Sequence, residues 1–158
     1  MPQPVPEGYS TLTPYLAVED ASTAIDFYQR ALGAKERVRM PGPGGSIMHA
    51  EIEIGDSLFM VSDPFPQTST TSPKELGGTS VSLMLYVEDV DAAYKQAVDA
   101  GATSLMEPDD MFWGDRFGSV QDPFGHSWTI ATHVEDVSPE EMQKRSEEWM
   151  SQMAGTQA

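Results

Sequence analysis

An internal repeat limits the possible folds of this chain more than any other feature of its sequence. The tripeptide Val-Glu-Asp occurs at 18–20 and again at 87–89, an offset of 69 residues. Asp20 and Asp89 are both suited to cap the start of a helix, because a short acceptor side chain satisfies free backbone amides of the first turn. The same local structure is therefore predicted twice, which indicates two similar modules.

Each half of the chain is predicted to contain one helix and four strands in the order β-α-β-β-β. The helices are predicted over 21–32 and 90–100, each followed by a glycine, Gly33 or Gly101, able to adopt the left-handed conformation that ends a helix. Alternating and β-branched residues predict strands of the first half over 12–18, 36–40, 47–54 and 57–62. Those of the second half are predicted over 80–87, 103–107, 117–121 and 127–132.

These elements predict a single α+β domain over residues 10–137. Its two modules span 10–63 and 79–133, and a Ser-, Thr- and Pro-rich linker joins them over 64–78. Residues 138–158 form a C-terminal helix and tail. Ser138 is its expected N-cap, and a partly apolar stripe recurs at helical spacing, predicted to pack on the body or on a partner subunit: Met142, Arg145, Trp149 and Met153.

Charge and composition exclude several classes of function. Twenty-five acidic residues against nine basic ones give a formal charge of −16, which repels phosphate backbones and anionic membranes. We therefore expect neither a nucleic-acid partner nor a membrane partner. The chain has no cysteine, so disulfides and thiolate chemistry are excluded. No signal peptide or apolar span is evident, and a cytoplasmic location is expected.

Several motifs lie at the ends of the predicted strands. The turn Asp122-Pro123-Phe124-Gly125-His126 separates two strands of the second module. The segments Asp26-Phe27-Tyr28, His49-Ala50-Glu51, Gly114-Asp115-Arg116 and Thr132-His133-Val134-Glu135-Asp136-Val137 are equally distinctive. With the repeated Val-Glu-Asp helix starts, they resemble the vicinal oxygen chelate superfamily, which includes glyoxalase I, extradiol dioxygenases and bleomycin-resistance proteins, and within it the PhnB-like branch.

This resemblance implies a fold and an assembly. Two βαβββ modules are expected to form a curled mixed sheet around a cavity, with the helices outside, and the protein is expected to be a homodimer. Enzymes of the superfamily hold a metal with His or Glu on the first and last strand of each module. The matching positions here are Thr13, Met60, Ser82 and Thr129. None is a good ligand for a divalent ion, so no cofactor is predicted, and a divalent metal is expected only at a non-standard site.

His49 and Glu51 are candidate ligand-binding residues. Alternation along 47–54 puts Met48, Ala50, Ile52 and Ile54 on one apolar face, predicted to lie under a helix. The opposite face, with Ile47, His49, Glu51 and Glu53, is expected to line the cavity. There His49 and Glu51 would hold a ligand, polarise a carbonyl or begin a displaced metal site; alternatively, they belong to a solvated sheet face.

Trp113, Arg116 and His126 complete the candidate set. Arg116 and His126 flank the turn at 122–125, and Trp113 precedes Arg116 in a loop able to overhang the cavity. An aromatic side chain beside an arginine suits a flat or anionic organic ligand. The alternative is local packing, with Arg116 in a structural ion pair to a carboxylate such as Asp115 or Asp122. Catalytic residues cannot be named from the sequence.

Three functions are consistent with these observations. The first is a protein that binds a small organic ligand in the cavity without a metal. The second is a metal-dependent lyase or dioxygenase with a displaced metal site. The third is a scaffold dimer without a small ligand. The absence of His and Glu from the four usual positions favours the first over the second.

Overall fold

The computed structural model describes residues 1–156 and contains two βαβββ modules followed by a C-terminal helix. The elements of module 1 are β1 (Tyr15–Ala17), α1 (Ala21–Leu32), β2 (Lys35–Pro41), β3 (Ile47–Ile54) and β4 (Ser57–Ser62). A short helix, α2 (Pro73–Leu76), lies in the linker. The elements of module 2 are β5 (Ser82–Tyr86), α3 (Val90–Asp99), β6 (Thr103–Asp110), β7 (Asp115–Gln121) and β8 (Ser127–His133), and α4 (Pro139–Gly155) follows.

Each module forms its own four-stranded mixed sheet. Strand order is β1-β4-β3-β2 in the first sheet, hereafter sheet 1, and β5-β8-β7-β6 in the second, sheet 2. The first strand of each module pairs in parallel with the last, and the remaining pairs are antiparallel. The predicted α+β class, the module order and the C-terminal helix are therefore confirmed, while β1 is shorter than predicted and β6 and β7 are longer. The two sheets do not close into a barrel.

The two helix starts form as their sequences predict. The Asp20 carboxylate accepts a hydrogen bond from the Thr23 amide at 3.3 Å, and the Asp89 carboxylate accepts one from the Ala92 amide at 3.0 Å. Hydrogen bonds from the amide and hydroxyl of Thr23 lower the pKa of Asp20. Both interactions span three residues, so they depend only on local sequence.

One hydrophobic core joins the two modules, because α1 packs against α3 and sheet 1 and its Tyr28 side chain reaches Trp128 of sheet 2. Tyr28 on α1 is fully buried, and its ring lies 5.7 Å from that of Phe59 in module 1 and 5.5 Å from that of Trp128 in module 2. The Tyr28 hydroxyl donates to Asp122 at 2.7 Å, as does the Trp128 indole at 3.0 Å. Asp122 is only 4% exposed, so the turn that it begins is part of the core.

The C-terminal helix is attached to the body mainly by polar contacts. Ser138 caps it as predicted, and Arg145 donates two hydrogen bonds to Glu135 at 2.8 and 2.9 Å. The Trp149 ring contacts Phe112 at 5.7 Å but remains 46% exposed, and no residue of α4 is buried. The predicted apolar stripe of α4 is therefore only partly covered by the body. The helix lies outside the two sheet layers, where few side chains are available to pack against it.

None of the helices within residues 1–156 has the length and apolar character needed to cross a membrane.

Candidate functional site

His49 and Glu51 lie together on the face of sheet 1 that is turned away from α1, here called the open face of sheet 1. The His49 Nε2 and Glu51 Oε1 atoms are 3.6 Å apart, which is an ion-pair distance rather than a hydrogen bond. Their neighbours Ala50 and Ile52 are fully buried in the core. The predicted division between a polar and an apolar face therefore holds over residues 49–53.

The division reverses at the start of β3. Ile47 is 3% exposed and Met48 is 47% exposed, the opposite of what alternation predicts. The Asp63 amide bonds the Ile47 carbonyl, and the Asp63 carboxylate accepts from the Ile47 amide at 2.7 Å. These bonds displace the strand by one residue from the register it holds at Ala50 opposite Val61, and a one-residue shift exchanges the two faces.

Tyr15 completes a polar chain on the open face of sheet 1. Its hydroxyl lies 2.9 Å from His49 Nδ1, and its ring is 5.6 Å from the imidazole. Tyr15 is on β1, 34 residues before His49, and the two strands are separated by β4. Sequence reasoning did not identify Tyr15, because the contact depends on the order of strands in the sheet.

The N-terminal segment crosses the same face. The Tyr9 hydroxyl is buried near the Glu51 carboxylate without a well-aligned hydrogen bond to any residue of the described chain. Burial, followed by the proximity of Glu51, raises the pKa of Tyr9 to about 12. Gly8 permits this path of the chain because its φ of 84° is a backbone conformation that a side chain disfavours. Glu51 is thus partly covered by the chain itself.

A cavity of about 340 Å³ adjoins this polar chain. Its walls come from the open face of sheet 1 and from the linker, and they are Tyr15, Met48, Ser62, Phe65, Gln67, Thr68 and Thr70. The lining is mostly apolar, with hydroxyl groups at its edge. A cavity of this size and composition suits part of a small organic molecule.

The four positions that correspond to metal ligands of the superfamily carry no imidazole or carboxylate. Ser82 Oγ and Thr129 Oγ1 lie side by side at 3.0 Å on sheet 2. Met60 is opposite Tyr15 on sheet 1, and the Thr13 hydroxyl donates to the Ser10 carbonyl. Within residues 1–156, no group of three or more His, Cys, Asp or Glu side chains is arranged to hold a metal ion. Hydroxyl and thioether groups do not fit a divalent transition metal.

Trp113 lies in the β6–β7 turn, beside sheet 2, rather than beside His49. Its indole N–H donates to Asp115 at 3.2 Å, and its ring contacts Phe112 at 5.1 Å and Phe117 at 5.4 Å. Asp115 is 5% exposed and also accepts from the Tyr86 hydroxyl. Trp113 is therefore part of an aromatic group around a buried carboxylate.

Arg116 points the other way, towards α3. Its guanidinium donates two hydrogen bonds of 2.9 Å to Asp91 on that helix and one of 3.2 Å to Asp110. These bonds raise the pKa of Arg116 and lower that of Asp91. The expected grouping of Arg116 with Trp113 on one surface is not found, since Trp113 contacts Asp115 and Phe117, whose side chains are on the face of β7 opposite to that of Arg116. Its partners are also not the predicted Asp115 or Asp122.

His126 connects the two modules. Its Nε2 atom lies 3.0 Å from the Ala17 carbonyl on β1, and its own amide donates to Asp122 at 2.9 Å. It lines a groove of about 380 Å³ between β1, the linker and β5, a groove that also includes Tyr15. The structure thus brings His49 and Glu51 together, places His126 in an adjacent groove, and separates Trp113 and Arg116 from them.

Known proteins and solved structures are similar to this chain in sequence and in fold. Residues 10–130 match the model of the Glyoxalase/Bleomycin resistance protein/Dioxygenase superfamily. An uncharacterized protein of Mycobacterium bovis is 44% identical over 135 residues, which cover 84% of this chain and 89% of the relative. TioX from Micromonospora has 28% identity and a TM-score of 0.62, covering 82% of this chain and all of TioX.

A more distant structure supports the fold alone. The putative 3-demethylubiquinone-9 3-methyltransferase, PhnB protein, from Bacillus cereus has 19% identity and a TM-score of 0.59, covering 78% of this chain and 99% of its own. The segment that matches the family model, residues 10–130, spans both βαβββ modules as far as the middle of β8 and includes the turn at 122–125. The chain therefore belongs to the glyoxalase/bleomycin resistance protein/dioxygenase superfamily.

Proposed function

We propose that this protein binds a small organic ligand on the open face of sheet 1, without the divalent metal of the superfamily's enzymes. The observation that carries the proposal is the polar chain Tyr15–His49–Glu51 at the edge of an apolar cavity. An apolar body of the ligand would fill the cavity. Its hydrogen-bonding group would meet the hydroxyl and imidazole, since a few placed polar groups fix orientation in such sites.

The charge of the site decides which ligands it favours. With Arg116 engaged by Asp91 on the helix side, the site loses the group expected to bind an anion. Glu51 remains there, in a chain of charge −16. A neutral or cationic ligand is therefore favoured over an anionic one.

The proposal is tested by a ligand screen followed by three matched variants. Bleomycin and a set of neutral and cationic aromatic compounds are screened by ligand-observed NMR, and affinities of the hits are measured by calorimetry. Tyr15→Phe and His49→Gln are expected to weaken binding about three- to tenfold each, as expected for loss of one hydrogen bond. Tyr94→Phe on α3, which removes an exposed hydroxyl elsewhere, serves as control. Hits whose affinity is the same in all three variants would contradict the site.

Metal analysis separates this proposal from a metal-dependent lyase or dioxygenase. Protein purified without chelator is expected to contain no stoichiometric nickel, zinc or iron, because Thr13, Met60, Ser82 and Thr129 supply no suitable donors. The measurement is elemental analysis of the wild type and of His49→Ala. One metal ion per chain that is lost in His49→Ala would instead establish a displaced site around His49 and Glu51.

We expect the protein to be a homodimer, because strand edges and apolar side chains are exposed on the single chain. Within the part of the chain that the structure describes, strands β1 and β5 each have one unpaired edge, and apolar residues on or near them are exposed, including Leu12, Val81 and Met84. Exposed edges and apolar groups of this kind are usually covered by a partner. Size-exclusion chromatography with light scattering should report twice the chain mass at micromolar concentration. A single-chain mass would refute the dimer.

A further inference from the structure

A second polar cluster, on sheet 2, plays no part in the proposed function. Its centre is Asp115, which is 5% exposed and accepts three hydrogen bonds. The donors are His133 Nδ1 at 2.7 Å, the Tyr86 hydroxyl at 3.0 Å and the Trp113 indole at 3.2 Å. Although burial opposes it, these bonds hold the pKa of Asp115 below its usual range. The cluster therefore contains a fixed, buried negative charge.

His133 is positioned to carry the matching positive charge when its ring is doubly protonated. Its second nitrogen, Nε2, lies 2.9 Å from the carboxylate of Asp136, so both ring nitrogens face carboxylates. Only the doubly protonated ring donates to both. The hydrogen bonds to Asp136 and Asp115 accordingly raise the pKa of His133.

The two carboxylates differ in how firmly they are held. Asp115 is buried within the sheet, whereas the side chain of Asp136 is fully exposed. The segment that carries Asp136 is also secured without it, because the Gly114 carbonyl accepts from the Val134 and Glu135 amides and Arg145 pairs with Glu135. An exposed ion pair contributes little to stability, so Asp136 is easily displaced from Nε2.

Aromatic side chains surround the carboxylate to which this imidazole is bonded. Tyr86 and Trp113 both donate to Asp115, so the polar edges of their rings meet at the carboxylate that also holds His133. Tyr86 is 63% exposed, and Phe117 extends the group through its contact with Trp113 at 5.4 Å. An exposed cationic donor beside aromatic surfaces is suited to a flat anion.

We propose that this cluster is a separate binding site for an aromatic carboxylate, whose carboxylate replaces that of Asp136 at His133 Nε2 and whose ring packs against Tyr86 and Trp113. In the free protein, Asp136 occupies the position of the ligand's carboxylate. Buried Asp115 orients the imidazole and balances its charge. The site lies on sheet 2 and shares no residue with the cavity of sheet 1, so either site can be absent without the other.

The proposal is tested with 2-naphthoate as probe, and with 2-naphthamide as its neutral analogue. Binding is followed by NMR titration of the His133 ring signals below the His133 pKa, at physiological ionic strength, where a Debye length of about 8 Å screens distant carboxylates. The expected result is saturable binding of the carboxylate, at least tenfold tighter than that of the amide.

Two variants and one control distinguish a binding site from a purely structural hydrogen-bond network. Asp136→Asn removes the competing charge and should tighten 2-naphthoate binding severalfold, whereas Glu148→Gln, an equal loss of charge on exposed α4, should not. His133→Gln should abolish the preference for the carboxylate. Equal affinity for the two probes, no effect of Asp136→Asn beyond that of Glu148→Gln, or no saturable binding would each overturn the proposal.

Discussion

Replacing Asp122 by alanine should destabilise the protein by roughly 3–5 kcal/mol, the largest effect that we expect of any single side chain. The carboxylate accepts four hydrogen bonds, from the Tyr28 hydroxyl, the Trp128 indole and the amides of Phe124 and His126. Alanine would leave the two aromatic donors unsatisfied in the core that joins the modules. The free energy of unfolding is measured by urea denaturation monitored by circular dichroism.

Three further variants test the cause of this loss. Tyr28→Phe removes one donor to a buried carboxylate and should cost roughly 1.5–3 kcal/mol, while Asp56→Ala, in the exposed β3–β4 turn, should have little effect. Asp122→Asn should lose more stability than Tyr28→Phe and less than Asp122→Ala. The amide of the new side chain keeps one acceptor oxygen but presents an N–H group to the indole N–H. If Asp122→Ala were no worse than Tyr28→Phe, the four-bond arrangement would be wrong.

The same network implies loss of stability in alkali. Burial, followed by the charge of Asp122, raises the pKa of Tyr28 well above its usual value. The folded state therefore holds this proton more tightly than the unfolded state, whose tyrosine pKa is about 10. The stabilisation that comes from protonated Tyr28 is fully present below about pH 10 and is lost as the pH rises towards the pKa of Tyr28 in the folded state. Tyr28→Phe should show a smaller decrease in stability between neutral pH and pH values above about 10.

Gly114→Ala is expected to destabilise the protein by roughly 3 kcal/mol or more. Gly114 has a φ of 100°, which a side chain disfavours, and a Cβ there would lie 2.1 Å from the Glu135 carbonyl oxygen. Avoiding that contact requires the backbone to move. The movement would break the bonds that the Gly114 carbonyl accepts from Val134 and Glu135, and thereby loosen the approach to α4.

Gly33→Ala separates conformational strain from steric contact. Gly33 also has a positive φ, 65°, but a Cβ added to it would have no neighbouring atom within 4 Å. That variant should cost only about 1 kcal/mol, measured by the same denaturation experiment. Equal losses in Gly33→Ala and Gly114→Ala would show that the close approach to Glu135 does not matter.

The sequence alone determined the architecture, because the signals that define it are local. Asp20 and Asp89 cap helices by bonding amides three residues ahead, so the repeat of these caps predicted two similar modules before any contact was known. The proximity of His49 and Glu51 also followed from local sequence, since residues that are two apart on a strand lie on the same face. Alternation failed only at Ile47 and Met48, where bonds to Asp63 shift the strand.

The tertiary structure decided which polar groups meet. Arg116 faces α3 because its partner Asp91 lies 25 residues away on a helix that packs behind sheet 2, and Tyr15 reaches His49 only through the strand order of sheet 1. Neither contact leaves a periodic or local trace in the sequence. Composition does not show which charged residues pair, because with 25 acidic residues available every arginine has many possible partners. Only the packing of helices on sheets selects one, because it fixes which carboxylates come within hydrogen-bonding distance.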